Sequence, residues 1–144
     1  MKPVVWLRVA SALTFLHGVM HTIGGVFGKQ EPGPQTIAAT AMKINQFPVM
    51  GHMRSFWAFY TGFGIGVSID LFVEAVIFWQ LSSLARTDSF RLRPIYWTFL
   101  FGYLALAANS YRYFFPPPLI GELLIALCLA LAIAGSKRPA HVSV

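Results

Sequence analysis

The chain has 144 residues, a length typical of one domain, and it is 56% hydrophobic, 15% aromatic and only 11% charged. Because a soluble globular domain carries about 25% charged residues, this composition excludes an ordinary water-soluble enzyme and a disordered tail. The net charge of +6 does not indicate a nucleic-acid binder, since the basic residues are scattered between apolar runs and do not gather on one face. The composition predicts an integral membrane protein.

Four apolar runs set the predicted topology. An α-helix rises about 1.5 Å per residue, so a hydrocarbon core of about 30 Å needs roughly 20 residues. The runs lie at about 4–27, 56–84, 94–114 and 119–134. We therefore predict an all-α fold, an integral membrane four-helix bundle that forms a single transmembrane domain over residues 1–144. The first run is predicted to be a retained helix and not a cleaved signal peptide, because Arg8 and His17 interrupt it.

Two of the segments that connect these runs have sequences that predict local structure. The segment 28–55 is long and turn-rich near its start, and its stretch 36–45 predicts a short helix lying at the membrane interface. The segment 115–118 reads Phe-Pro-Pro-Pro, which predicts a stiff and very short turn between the last two helices.

The distribution of basic residues predicts the orientation, because short cytoplasmic loops carry an excess of Lys and Arg. One predicted side holds seven of them: Lys2, Arg8, Arg86, Arg91, Arg93, Lys137 and Arg138. The other side holds four: Lys29, Lys43, Arg54 and Arg112. We therefore expect a multi-pass protein of the cell inner membrane, with both termini in the cytoplasm and segment 28–55 on the outer side.

The second run contains small residues at helical spacing. Gly62 and Gly66 form a small-xxx-small face, a pattern that permits close approach of two helices. We expect this face to pack against another helix of the same bundle, and a groove that faces a substrate is the alternative.

Several polar side chains fall inside the predicted spans, where ionisable groups are costly and usually face a bundle interior or a wet cavity. They are His17 and His21 in the first run, Asp70 and Glu74 in the second, Asn109 in the third and Glu122 in the fourth. The two histidines are four residues apart and share a helix face, as do the two acids of the second run.

Depth along the helices indicates which of these groups can meet. Counted from the outer helix ends at about 1.5 Å per residue, five of them share the outer half of the membrane. We predict that this pocket holds the candidate catalytic residues His17, His21, Asp70, Asn109 and Glu122. Further candidates for ligand binding are Arg54, Trp57, Tyr60, Arg112 and Glu74, the last lying nearer the cytoplasmic half.

Such a pocket has the groups that acid/base chemistry needs. A protonated carboxyl can donate to a double bond or carbonyl, and a neutral histidine can accept a proton. We therefore predict that the pocket binds a small lipophilic molecule or membrane lipid, with acid/base conversion of that compound as a further hypothesis and no cofactor expected. A non-catalytic accessory or structural membrane subunit is the alternative, and a homo-oligomer is left open.

Each polar group also has a simpler interpretation. Arg112 and Glu122 can form an ion pair across the proline turn, since intramembrane charges usually pair. A histidine can donate to a backbone carbonyl and serve packing alone. His17 and His21 can also bind one metal ion together with a nearby acid, although the chain contains neither an HExxH nor a CxxC motif.

Three stretches carry a resemblance to a known family: His-Thr-Ile-Gly-Gly at 21–25, Arg-Ser-Phe-Trp-Ala-Phe-Tyr-Thr-Gly-Phe-Gly at 54–64 and Tyr-Arg-Tyr-Phe-Phe-Pro-Pro-Pro at 111–118. With the four-span layout, they make most of the chain similar to a family of small, uncharacterised bacterial inner-membrane proteins. The resemblance implies the topology but no activity. In architecture and residue types alone, the chain also resembles the four-helix sterol-isomerase and sigma-2-receptor-like proteins, which implies an apolar ligand held among intramembrane His, acids and Asn.

Overall fold

The structure, a computed structural model, describes residues 2–137. It is mostly helical (80%), and its five α-helices confirm the predicted all-α class. Their bounds are α1 Pro3–Met20, α2 Pro34–Ile44, α3 Phe56–Asp88, α4 Arg93–Tyr113 and α5 Pro116–Gly135. Arg138, one of the basic residues that predict the orientation, lies outside the described residues.

Three helical segments of the described chain are long and apolar enough to cross a membrane: Pro3–Val26, Phe56–Asp88 and Pro116–Gly135. The chain therefore has the helices of a membrane protein. The predicted third span corresponds to α4, which has sufficient length at 21 residues but is not one of the three. Its polar side chains, among them Thr98, Asn109 and Arg112, lower its mean hydropathy.

The first helix changes geometry before it ends. After α1, the residues His21–Val26 form a π-helix, in which the N–H of Phe27 donates to the carbonyl of Thr22 at 3.1 Å, the five-residue spacing of that helix type. The chain then leaves the helix at Gly28, where a Cβ atom would collide with the carbonyl oxygen of Gly24. Only glycine therefore fits this close approach.

Segment 28–55 contains more structure than its sequence predicts. The expected short helix is present as α2, and a β-hairpin follows it, with β1 Gln46–Val49 antiparallel to β2 His52–Ser55. Met50 (φ 48°) and Gly51 (φ 84°) connect the strands, and positive φ at both central residues is the mark of a type I′ turn. Methionine is unusual at the first of these positions, so the chain lacks the Asn-Gly or Asp-Gly pair that would predict a hairpin here.

The predicted proline turn between the last two helices is wrong. Pro116, Pro117 and Pro118 form the first turn of α5, so this helix begins three residues earlier than the predicted start at 119. Proline fits the first turn of a helix because the N–H groups there have no intrahelical partner and its φ is already helical. The connection is reduced to Phe114 and Phe115.

The chain divides into two compact units. We call residues 18–70 the hairpin unit, and residues 2–17 together with 71–137 the core unit. The core unit is filled by large side chains that are fully buried, namely Leu7, Phe78, Tyr96, Tyr103, Ile125 and Leu129. Phe78 contacts Phe99 edge-on with ring centroids 4.8 Å apart, a favourable aromatic geometry.

Within the hairpin unit, α3 packs through the face of Gly64. A Cβ atom built on Gly64 would lie 3.0 Å from Val26 Cγ2. Two residues correspond to about 200° around a helix, so Gly62 and Gly66 lie on the opposite side of α3. Packing of the face of Gly62 and Gly66 against another helix stays a prediction.

Candidate functional site

Glu122 is the most deeply buried acid that the sequence analysis selects. It lies near the start of α5, is only 6% exposed, and accepts a hydrogen bond from Ser110 Oγ on α4 at 2.9 Å through Oε1. Its other oxygen, Oε2, is buried and has no hydrogen-bond partner within residues 2–137. Because a buried polar atom left without a hydrogen bond is costly, Oε2 is a natural contact point for a polar group of a ligand.

Glu74 belongs to a directed chain of hydrogen bonds in the same unit. The Tyr103 hydroxyl donates to Glu74 Oε2 at 2.6 Å, within the range of well-formed O–H···O hydrogen bonds. Tyr103 has one proton to donate, so Thr14 must be the donor in the 3.3 Å bond between the two hydroxyls. The order Thr14 to Tyr103 to Glu74 orients the carboxylate as an acceptor.

His17 and Gly121 bring α1 and α5 together beside these groups. A Cβ atom on Gly121 would lie 3.5 Å from His17 Nδ1, so the glycine leaves room for the imidazole against the first part of α5. We call this group of side chains the core polar cluster: Thr14, His17, Glu74, Tyr103, Ser110 and Glu122.

His21 lies in the hairpin unit and has a defined partner there. Its Nδ1 is 3.1 Å from Ser68 Oγ, and the Ser68 hydroxyl donates its proton to the Gly64 carbonyl at 3.1 Å. When the Ser68 proton lies on the Gly64 carbonyl, Ser68 accepts from Nδ1–H of His21, and Nε2 is then the basic nitrogen of the ring.

Three of the predicted ligand-binding residues, Arg54, Trp57 and Tyr60, lie within the hairpin unit. Trp57 lies under the ammonium group of Lys43, which is 4.2 Å from the ring centroid, in a cation–π contact. The ring of Tyr60 is 5.4 Å from that of Trp57, and its hydroxyl donates to the Gly25 carbonyl at 3.3 Å. Arg54 is exposed, and its guanidinium donates to the Met53 carbonyl at 2.8 Å.

Like Arg54 and Tyr60, three more of the predicted site residues are exposed: Asp70, Asn109 and Arg112. The guanidinium of Arg112 lies 5.7 Å from the ring centroid of Tyr113. The alternative ion pair between Arg112 and Glu122 is not formed in the described part of the chain, where Ser110 is the partner of Glu122.

The described residues form no metal centre at the cluster, and the surface groove found in the core unit lies elsewhere. Within residues 2–137, no three His, Cys, Asp or Glu side chains are arranged to hold a metal ion. A groove of about 510 Å³ opens at the start of α4, and its lining contains none of the cluster residues. It is formed by Phe90, Arg91, Arg93, Pro94 and Trp97.

Sequence reasoning missed the hydroxyl side chains that complete the cluster. Thr14 lies three residues before His17, and Tyr103 and Ser110 are seven residues apart in α4, spacings that place each pair on one helix face. These spacings were a usable signal, but a hydroxyl within a span costs little and does not stand out as a charged group does.

Comparison of the chain with models of known protein families, with curated proteins and with solved structures gave no match. Its resemblance to a bacterial membrane-protein family therefore stays a prediction, and the function has to be argued from the residues themselves.

Proposed function

We propose that this chain is a multi-pass membrane protein whose core polar cluster binds the polar end of a small lipophilic compound. The observation that carries the proposal is the buried carboxyl of Glu122. One of its oxygens is held by Ser110, and the other has no hydrogen-bond partner among the described residues. Ionisable groups at such positions in membrane helices are typical of ligand, ion or proton sites, and apolar sites with few polar groups are typical of small-molecule binding.

The proposed topology is a four-helix bundle in the inner membrane with both termini in the cytoplasm. It includes α4 as a span because its buried residues follow a helical stripe, which points its tyrosines and Ser110 toward protein. That stripe consists of Tyr96, Leu100, Tyr103, Ala107 and Ser110. The orientation rests on the excess of Lys and Arg on one side of the spans.

The hydrogen bonds suggest different roles for the two acids of the cluster. Glu74 is occupied by the Tyr103 hydroxyl, so it holds the cluster together. Glu122 is the group offered to a ligand, as an acceptor for a hydroxyl or, when protonated, as a donor to a carbonyl. If the bound compound is converted, Glu122 is the proposed acid and His17, which lies against Gly121, is the proposed base.

A second candidate function is that of a non-catalytic accessory subunit. The observation in its favour is that the hydrogen bonds join different helices. Ser11 Oγ donates to the Ala75 carbonyl at 2.7 Å, Tyr103 to Glu74 and Ser110 to Glu122. Hydrogen bonds of this kind stabilise helix association in membranes without any ligand.

Analysis of co-purified lipophiles separates the two candidates. The full chain is purified in mild detergent, extracted with organic solvent, and the extract is measured by mass spectrometry. We expect the wild-type protein to retain a lipophilic compound. We also expect Glu122→Leu to retain about tenfold less, the effect of losing one charge-assisted hydrogen bond.

The matched control is Glu31→Gln, which removes an exposed acid outside the spans and is expected to retain the wild-type amount. Circular dichroism confirms that both variants remain helical. An empty wild-type preparation, or equal retention by Glu122→Leu and the control, contradicts ligand binding and favours the accessory subunit.

A further inference from the structure

The groove at the start of α4 combines positive charge with apolar side chains. Its lining contains two guanidinium groups, those of Arg91 and Arg93, beside Phe90, Pro94 and Trp97. Residues 85–93 hold three arginines and a single acid, Asp88, so the charge around the groove is positive. Such a groove fits a molecule that is anionic at one end and apolar at the other.

The two arginines are held in place, and one of them lacks a counter-ion. Arg91 Nε forms a salt bridge with Asp88 Oδ2 at 3.0 Å, although the Arg91 side chain is 86% exposed. The Arg93 guanidinium lies 5.3 Å from the ring centroid of Phe90, a cation–π contact. Within residues 2–137, Arg93 has no carboxylate partner. Its charge is therefore offered to an anion from outside the chain.

Side chains, and not the start of the helix, supply the binding groups. The N–H of Arg93 donates to the Phe90 carbonyl at 3.2 Å, and that of Ile95 donates to the Leu92 carbonyl at 3.0 Å. Pro94, between them, has no N–H. An anion in the groove is then bound by the guanidinium groups, whose planar donors match the oxygens of a phosphate.

The apolar part of the groove continues along α4. This helix has 21 residues, about the length of one span, so in the proposed topology Arg93 lies near a membrane surface. Trp97, 41% exposed, is one turn further in, and tryptophan is enriched at the level of the lipid headgroups. The ring of Phe101 stacks on Trp97 at 5.5 Å and is 62% exposed. The two rings form an apolar path from the groove toward the hydrocarbon core.

We propose that this groove binds an anionic phospholipid, with the headgroup phosphate on Arg91 and Arg93 and an acyl chain along Trp97 and Phe101. Positive charge selects an anion, as in basic sites for lipid headgroups at helix ends. The apolar path favours a lipid over free phosphate, and the position at the membrane surface favours a lipid over an acidic protein segment. The inference rests on the proposed topology but not on the ligand of the core polar cluster.

Native mass spectrometry tests the site. The full chain is purified in mild detergent, delipidated, and titrated with phosphatidylglycerol or with phosphatidylcholine of the same acyl chains. We expect the anionic lipid to bind at least about tenfold more tightly. We expect Arg93→Gln to remove most of this preference. Arg91→Gln, at a more exposed position where folding should be unaffected, is expected to reduce it as well.

The matched control is Arg8→Gln. Arg8 also lies over an aromatic ring, 5.0 Å from the ring centroid of Trp79, and belongs to the same predicted side of the membrane, but it does not line the groove. The control removes the same charge and is expected to change the affinity less than about twofold, because it leaves the phosphate contacts intact. Circular dichroism confirms that all three variants remain helical.

Three results would overturn the proposal. Equal affinity for the two lipids contradicts an anionic-lipid site and favours an acidic protein segment as the occupant. Equal effects of Arg93→Gln and Arg8→Gln would mean that the groove itself selects nothing. Excess inorganic phosphate is expected to leave the lipid bound, and displacement would assign the groove to free phosphate. Retention of lipophile by Glu122 is measured at a separate site, so either proposal can fail alone.

Discussion

Glu122 in α5 and Asp70 in α3 are both acids within helices that are long and apolar enough to span a membrane, yet their surroundings are opposite. Glu122 is 6% exposed and bound to a serine of the neighbouring helix. Asp70 is exposed, on the same face of α3 as Gly62 and Gly66. One acid is therefore bound by a neighbouring helix of the core unit, whereas the other is open at the surface.

This contrast indicates that buried and exposed polar residues of this chain have different roles. Polar groups turned inward make hydrogen bonds between helices and build the candidate ligand site. An exposed polar group takes no part in these hydrogen bonds. Substitutions at buried and exposed positions of the same residue type should therefore differ in effect, and similar effects would contradict this distinction.

The largest effect is expected from the core of α5. Leu129 is fully buried, whereas Leu127 on the same helix is 54% exposed. Leu129→Ala should lower the free energy of unfolding by about 2–4 kcal/mol, because it leaves a cavity among packed side chains. Leu127→Ala should change it little, since lipid fills the space. Reversible unfolding in mixed micelles measures both, and equal losses would show that α5 is not oriented as described.

Tyr103→Phe is expected to have the next largest effect. The substitution keeps the buried ring but removes the proton that Glu74 accepts, which should cost about 1–3 kcal/mol because a hydrogen bond between helices is lost away from water. Tyr111, which is 80% exposed, supplies the control Tyr111→Phe, for which we expect no measurable loss. A stable Tyr103→Phe protein would mean that the directed hydrogen-bond chain contributes little.

Ser110→Ala should cost somewhat less, about 1–2 kcal/mol, because it removes the one described hydrogen bond of the buried Glu122 carboxyl. Ser83→Ala changes an exposed serine of α3 and should be neutral. The same pair of variants sharpens the ligand proposal. If Ser110 orients Glu122 for a ligand, Ser110→Ala also lowers the retained lipophile in mass spectrometry while Ser83→Ala does not.

The smallest effect is expected in the hairpin unit. Met50 has a φ of 48°, which is unfavourable for a side chain of its size, whereas asparagine tolerates this conformation. Met50→Asn should stabilise the hairpin by about 0.5–1 kcal/mol. Slower hydrogen exchange of the strand amides, with no change in the core unit, would be the expected result. Faster exchange would contradict the type I′ turn.

Much of the fold followed from one-dimensional information. Lengths of apolar runs predicted four long helices close to their observed bounds, and the short α2 was also expected. The hairpin at 46–55 and the first turn of α5 were missed because Met50 and the three prolines carry ambiguous local signals. A proline run suits an extended turn and a helix start equally well, and the tertiary contacts of α5 favour the helix.

The candidate site was predictable only in part, because the sequence indicates which residues are polar but not which of them meet. The membrane class and the acids and histidines within the spans were determined by the sequence, because charge is rare and costly in lipid. Only the tertiary structure decided which face of each helix turns toward protein. Helices that are apolar nearly all around have no amphipathic stripe from which the sequence could predict that face. Packing therefore selected Thr14, Tyr103 and Ser110 as the partners of the acids, and it left Asp70 on the outside.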